Sequence, residues 1–141
     1  MNVASGVGRV PLPGSASYSA TKHGIVGLTE SLRMEYRGSG VSFSVVQPSQ
    51  VETGMLDGQG RPRGLSQVKA DDVAAAVVHA VERDRFEVWV PRSQGVSVKL
   101  AGLLPRAARE MILRRLGLTR IAGDLDRDAR RAYHRRAFGR D

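Results

Sequence analysis

The chain has 141 residues, 41% apolar and 26% charged, enough for one globular domain with its own core and unlike a disordered or collagen-like composition. It contains no cysteine, which removes disulfides and every thiolate-based metal or redox site. The net charge of +8 lies wholly in residues 92–141, where thirteen Lys or Arg face five Asp or Glu, against nine and nine in residues 1–91.

In chain order, MNVA (1–4) reads as the end of a strand, and the Gly- and Pro-rich loop SGVGRVPLPGS follows it. Ser15 or Ser17 is a fair N-cap for a helix that runs to about residue 36. Ala20, Ile25, Leu28 and Leu32 recur in that helix at three- to four-residue spacing, which predicts a buried stripe, and Gly38 and Gly40 predict its stop. VSFSVVQP (41–48) alternates and fills with valine, a strand closed by a proline. Residues 49–67 form a long polar, Gly-rich loop, of a length usually tied to function or mobility. ADDVAAAVVHAVER (70–83) is an amphipathic helix with Asp71 and Asp72 in its first turn, where carboxylates suit the helix dipole. FEVWVP (86–91) is a short strand. The alternation of strand and helix predicts a parallel sheet with crossover helices.

Residues 92–141 read as basic and helical. Pro105 can open a helix and Leu116-Gly117 close it, with Met111, Ile112 and Leu116 on one side. Asp124 or Asp126 could cap a last helix.

Within the first helix, Tyr18 and Lys22 are four apart and therefore share a face. A lysine one turn away favours the phenolate form of a tyrosine, so the pair reads either as an ordinary surface pair or as a proton-transfer unit. The spacing alone is weak. Ser5 lies at a predicted strand end thirteen residues before Tyr18, beside Gly6 and Gly8, and the next strand ends at Pro48 with Thr53 soon after. The carboxyl edge of a parallel sheet is where ligands sit, so these residues can converge on one crevice.

Over NVASGVG (2–8), YSATK (18–22), the helix that follows and PSQVET (48–53), the chain resembles the short-chain dehydrogenase/reductase family. The likeness spans about residues 1–91, and residues 92–141 resemble the helical extensions of some members. It implies the C-terminal half of an α/β domain of Rossmann type, a doubly wound parallel sheet, followed by a basic helical extension. The implied activity is hydride transfer between NAD or NADP and a small carbonyl or alcohol substrate. Ser5 would hold the substrate oxygen, Tyr18 would be the general acid–base, and Lys22 would favour the phenolate and bind the nicotinamide ribose. Pro48, Val51 and Thr53 would contact the nicotinamide end of the cofactor.

Ser49 stands where the family has glycine after Pro48. The family's TGxxxGxG turn, its Asn-Ala-Gly stretch and its further catalytic asparagine have no counterpart in these residues. GQGRPRG (58–64) cannot replace the turn: its last interval is wrong, Pro62 interrupts it and no strand leads into it. The expectation is a truncated chain, incomplete or inactive alone, whose first strand has an unpaired edge. The competing expectation is a non-catalytic remnant or interaction module that docks through that edge and the basic helices. A longer, complete form would be a homo-oligomer.

No histidine of His23, His79 and His134 has a second ligand at metal spacing, so no metal is expected. Trp89 reads as a core or interface residue, while Met55 and Leu56 suit either a pocket lining or loop packing. The basic segment has three readings, in falling order. It covers the pocket or a neighbouring subunit through Leu100, Leu103, Leu104, Met111 and Leu116; it lies on an anionic membrane; or it touches nucleic acid, for which recognised motifs and stacking aromatics are lacking. No apolar run approaches the roughly 20 residues of a membrane span and no secretory leader opens the chain, so a cytoplasmic location is expected, with peripheral membrane contact as the variant.

Overall fold

In a computed structural model, residues 1–54, 66–118, 128, 131, 132, 135 and 139 are described. Strand β1 (Asn2–Val3) leads through a single 3-10 turn (Gly6–Gly8) to helix α1 (Ala16–Glu35) and strand β2 (Val45–Pro48). Two short strands, β3 (Gln50–Val51) and β4 (Gln67–Val68), precede helix α2 (Ala70–Glu82) and strand β5 (Glu87–Val90). Helices α3 (Arg92–Gly102) and α4 (Arg106–Arg115) follow.

The main sheet has the order β1-β2-β5, with both pairs parallel, and β3 pairs with β4 in a second, two-stranded parallel sheet. Asn2 and Val3 register with Val45 and Val46, while Val45 to Pro48 register with Glu87 to Val90. Side chains alternate across a strand, so the sheet has two distinct faces. Ala4 and Val45 pack with Val26 of α1 on one face, against Ile25 and Phe86. Val46, Val68 and Val90 form the core of the other, against Val73, Ala76 and Val77 of α2. Helices on both faces of a parallel sheet are the doubly wound α/β arrangement the strand–helix alternation predicts.

Several local expectations shift. The strand predicted over 41–48 is regular only from Val45, because β5 begins opposite that residue and a ladder lasts only as long as its neighbours. The 49–67 segment is not loop throughout, since β3 and β4 close its two ends. The stripe on α1 is also displaced. Ala20 is exposed and Leu28 is 56% exposed, whereas Ser19, Val26 and Thr29 are buried. Thr29 can turn inward because its hydroxyl donates to the Ile25 carbonyl at 2.6 Å and accepts from Asn2 Nδ2 at 3.0 Å. Gly38 and Gly40, at φ of +84° and +81°, follow the end of α1 as expected.

At the start of α2, Asp72 Oδ2 accepts from the Lys69 amide at 3.1 Å, meeting one of the helix's open donors. α3 lies against β5, with Gly95 pressed on the Trp89 ring so closely that a Cβ there would sit 2.5 Å from Trp89 Cγ. Trp89 is accordingly a core residue. Met55, Leu56, the 58–64 glycine run, Asp124, Asp126 and His134 lie outside the described residues.

Candidate active site

Ser5 stands at the carboxyl end of β1, 9% exposed, and caps the 3-10 turn: its Oγ accepts from the Val7 amide at 3.3 Å. The Ser5 carbonyl accepts from the Gly8 amide at 2.9 Å, which closes the turn. Gly8 lets that turn settle on α1, since a Cβ at this position would lie 2.8 Å from the Lys22 carbonyl oxygen and 3.0 Å from Val26 Cγ2. The turn that carries Ser5 is therefore seated on the helix turn that carries Lys22.

Lys22 Nζ donates to the Val3 carbonyl at 3.2 Å and lies 5.6 Å from the centroid of the Tyr18 ring. Tyr18 is 44% exposed, so its ring is open to an incoming molecule. Ser5, Tyr18 and Lys22 thus gather at the carboxyl end of β1. Pro48 ends the neighbouring strand at the same edge, and Val51 and Thr53 follow, with Thr53 Oγ1 donating to the Val51 carbonyl at 3.4 Å. None of the described contacts joins Pro48, Val51 or Thr53 to Tyr18 or Lys22. Ser49 amide donates to the Val90 carbonyl at 2.7 Å, while its Oγ is buried without a described partner.

His23 is a helix-surface residue whose Nδ1 donates to the Ser19 carbonyl at 2.8 Å, and no group of three or more His, Asp or Glu could hold a metal among the described residues. A groove of about 720 Å³ lies between Pro11 to Pro13, the first turns of α1 and helix α4. Ala16, Ser19, Ala20 and His23 line it at i, i+3, i+4 and i+7, a different face of α1 from the one holding Tyr18 and Lys22.

Beneath the site lies a polar layer that sequence spacing does not disclose. Gln47 is fully buried and its Nε2 donates to Glu87 Oε1 at 2.9 Å. Glu87 also pairs with Lys99 at 2.9 Å and with Arg9 at 3.2 Å, and Arg9 pairs in turn with Glu30. Burial pushes the Glu87 carboxyl up, but hydrogen bonds from Lys99 and Gln47, with the Lys99 charge, together hold it below the usual glutamate value. Gln94 of α3 reaches the 3-10 turn, its Nε2 filling the space that a Cβ on Gly6 would need. The one sequence signal for this layer was a glutamine inside an otherwise valine-filled strand.

A parallel sheet with helices on both faces, and hydroxyl and ammonium groups gathered at its carboxyl edge, defines a doubly wound α/β protein of Rossmann-like fold. Residues 1–63 match the family model for short chain dehydrogenase. Over those residues the chain is similar to the short-chain dehydrogenase/reductase family. It is 45% identical over 79 residues to 1-deoxy-11-beta-hydroxypentalenate dehydrogenase of Streptomyces exfoliatus, covering 54% of this chain and 29% of that protein. It is 38% identical over 73 residues to a 3-oxoacyl-acyl-carrier-protein reductase, FabG, of Vibrio cholerae, covering 50% of this chain and 30% of the reductase. The structure matches a short chain dehydrogenase from Burkholderia cenocepacia in complex with NADP, with TM-score 0.64 and 28% identity over 82% of this chain and 46% of that one. The chain thus spans under a third of the length of these curated relatives.

Proposed function

We propose that this chain supplies the proton-transfer half of an NAD(P)-dependent oxidoreductase acting on a carbonyl or alcohol. One observation carries the reading: Lys22 Nζ sits 5.6 Å from the Tyr18 ring and 3.2 Å from the Val3 carbonyl, beside the strand end that bears Ser5. Both curated relatives are named for chemistry at a hydroxyl or oxo group, and the solved relative was bound to NADP, which supports the same reaction class.

The residues fit the nicotinamide end of such a cofactor. Lys22 offers donors to ribose hydroxyls, and Val51 and Thr53 follow the neighbouring strand end with backbone and hydroxyl groups suited to a carboxamide. They do not fit the pyrophosphate, for which the sequence holds no TGxxxGxG turn. When bound, the cofactor supplies the hydride. Ser5 Oγ orients the substrate oxygen from its seat on the 3-10 turn. Tyr18 gives its phenolic proton to that oxygen in reduction or takes one in oxidation.

Tyr18→Phe keeps the ring and removes the proton. In the catalytically competent protein it should lower kcat by about 10² to 10⁴-fold with an unchanged circular dichroism spectrum. Unchanged turnover would remove Tyr18 from the chemistry. Titration of the 141-residue chain with NADPH separates the alternatives: saturable binding supports a cofactor site in these residues, and none favours a non-catalytic interaction module.

A further inference from the structure

Helices α3 and α4 carry an aliphatic ridge that the sheet does not use. Val96, Leu100 and Leu103 recur at i, i+4 and i+7 and are 60, 61 and 82% exposed. The opposite side of α3 is anchored, with Gly95 against Trp89 and Gln94 against the 3-10 turn, so the ridge cannot turn inward. Leu104 follows in sequence, and α4 carries Met111 and Ile112, all exposed. Single exposed apolar residues are ordinary; a continuous row of them marks a contact surface.

The sequence of the segment that carries the ridge has a basic excess. Residues 92–118 hold six Lys or Arg and one Glu, and residues 119–141 add seven Arg against four Asp. Arg109 and Arg115 are exposed on α4. Exposed aliphatic residues and exposed arginines carried on short helices suit the boundary between phospholipid headgroups and acyl chains. At 11 and 10 residues neither helix can cross a bilayer, and each would lie in its plane.

We propose that α3 and α4 seat this protein on an anionic phospholipid surface. Val96, Leu100 and Leu103 enter the acyl boundary, and Arg109 and Arg115 meet the headgroup phosphates. The proposal stands apart from the reaction and holds whether or not the chain turns over a substrate.

Co-sedimentation of the 141-residue chain with vesicles of phosphatidylglycerol and phosphatidylcholine tests it, with phosphatidylcholine alone as comparison. Binding should require phosphatidylglycerol and weaken by about fivefold for each of Arg109→Gln and Arg115→Gln. Leu100→Asp with Leu103→Asp should weaken it more than about tenfold while leaving the circular dichroism spectrum unchanged, because both side chains are exposed. Three results would overturn the proposal. They are no binding to the anionic vesicles, binding undiminished in the double leucine variant, and a lipid-free dimer that the same variant dissociates, which would make a second copy the occupant.

Discussion

Glu87 is the residue on which the most distant parts of the fold meet. Arg9 reaches it across 78 positions of sequence, Gln47 across 40, and Lys99 completes the set. Its carboxyl is held below the ordinary glutamate value, so the folded state prefers the ionised form. The stability this supplies is full above the unfolded glutamate value of about 4.3 and is lost as pH falls through the lower folded value. Glu87→Gln should cost about 1–3 kcal/mol at pH 7. The variant should also lose less stability than the parent on acidification below about pH 4.3, as read by thermal melts along a pH series. Parallel pH profiles would remove Glu87 from the linkage. The proximity of Tyr18 and Lys22 was legible in the sequence because four residues make one helical turn. Glu87 was not, because its partners are fixed only once β2, β5 and α3 are assembled.

At the scale of elements, α3 shows how a glycine can set the distance between a helix and a sheet. Gly95→Ala would place a methyl 2.5 Å from Trp89 Cγ and 2.6 Å from Cδ1, and both groups are held by the packing around them. Such overpacking should cost about 1–3 kcal/mol in denaturant unfolding. Gly27, inside α1, faces open space, with nothing within 4 Å of where a methyl would stand, and Gly27→Ala should instead stabilise by about 0.5–1 kcal/mol. If Gly95→Ala unfolds no earlier than the parent, α3 is not seated on Trp89. Element order and the parallel sheet were legible, since the alternation of periods two and 3.6 is a local property. The exposed Leu28 and buried Thr29 were not, because local pattern cannot say that a hydroxyl will find its acceptor on its own helix and its donor on Asn2. The length of β2 was hidden for a similar reason: it depends on where its neighbours begin.

For the whole molecule, the sheet is held from β5 outward, with α2 on one face and α1 and α3 on the other, while β1 has a neighbour on one side only among the described residues. The Asn2 amide donates to the Ser44 carbonyl and the Ala4 amide to the Val46 carbonyl, both at 2.8 Å. The intervening residue, Val3, then points its backbone groups away from β2, and its carbonyl accepts from Lys22. In deuterated solvent the amides at 2 and 4 should therefore exchange slowly and the amide at 3 quickly, a protection pattern alternating residue by residue along the strand that leads to Ser5. Uniform slow exchange through residues 2–4 would mean that another chain had taken the open side as a further strand.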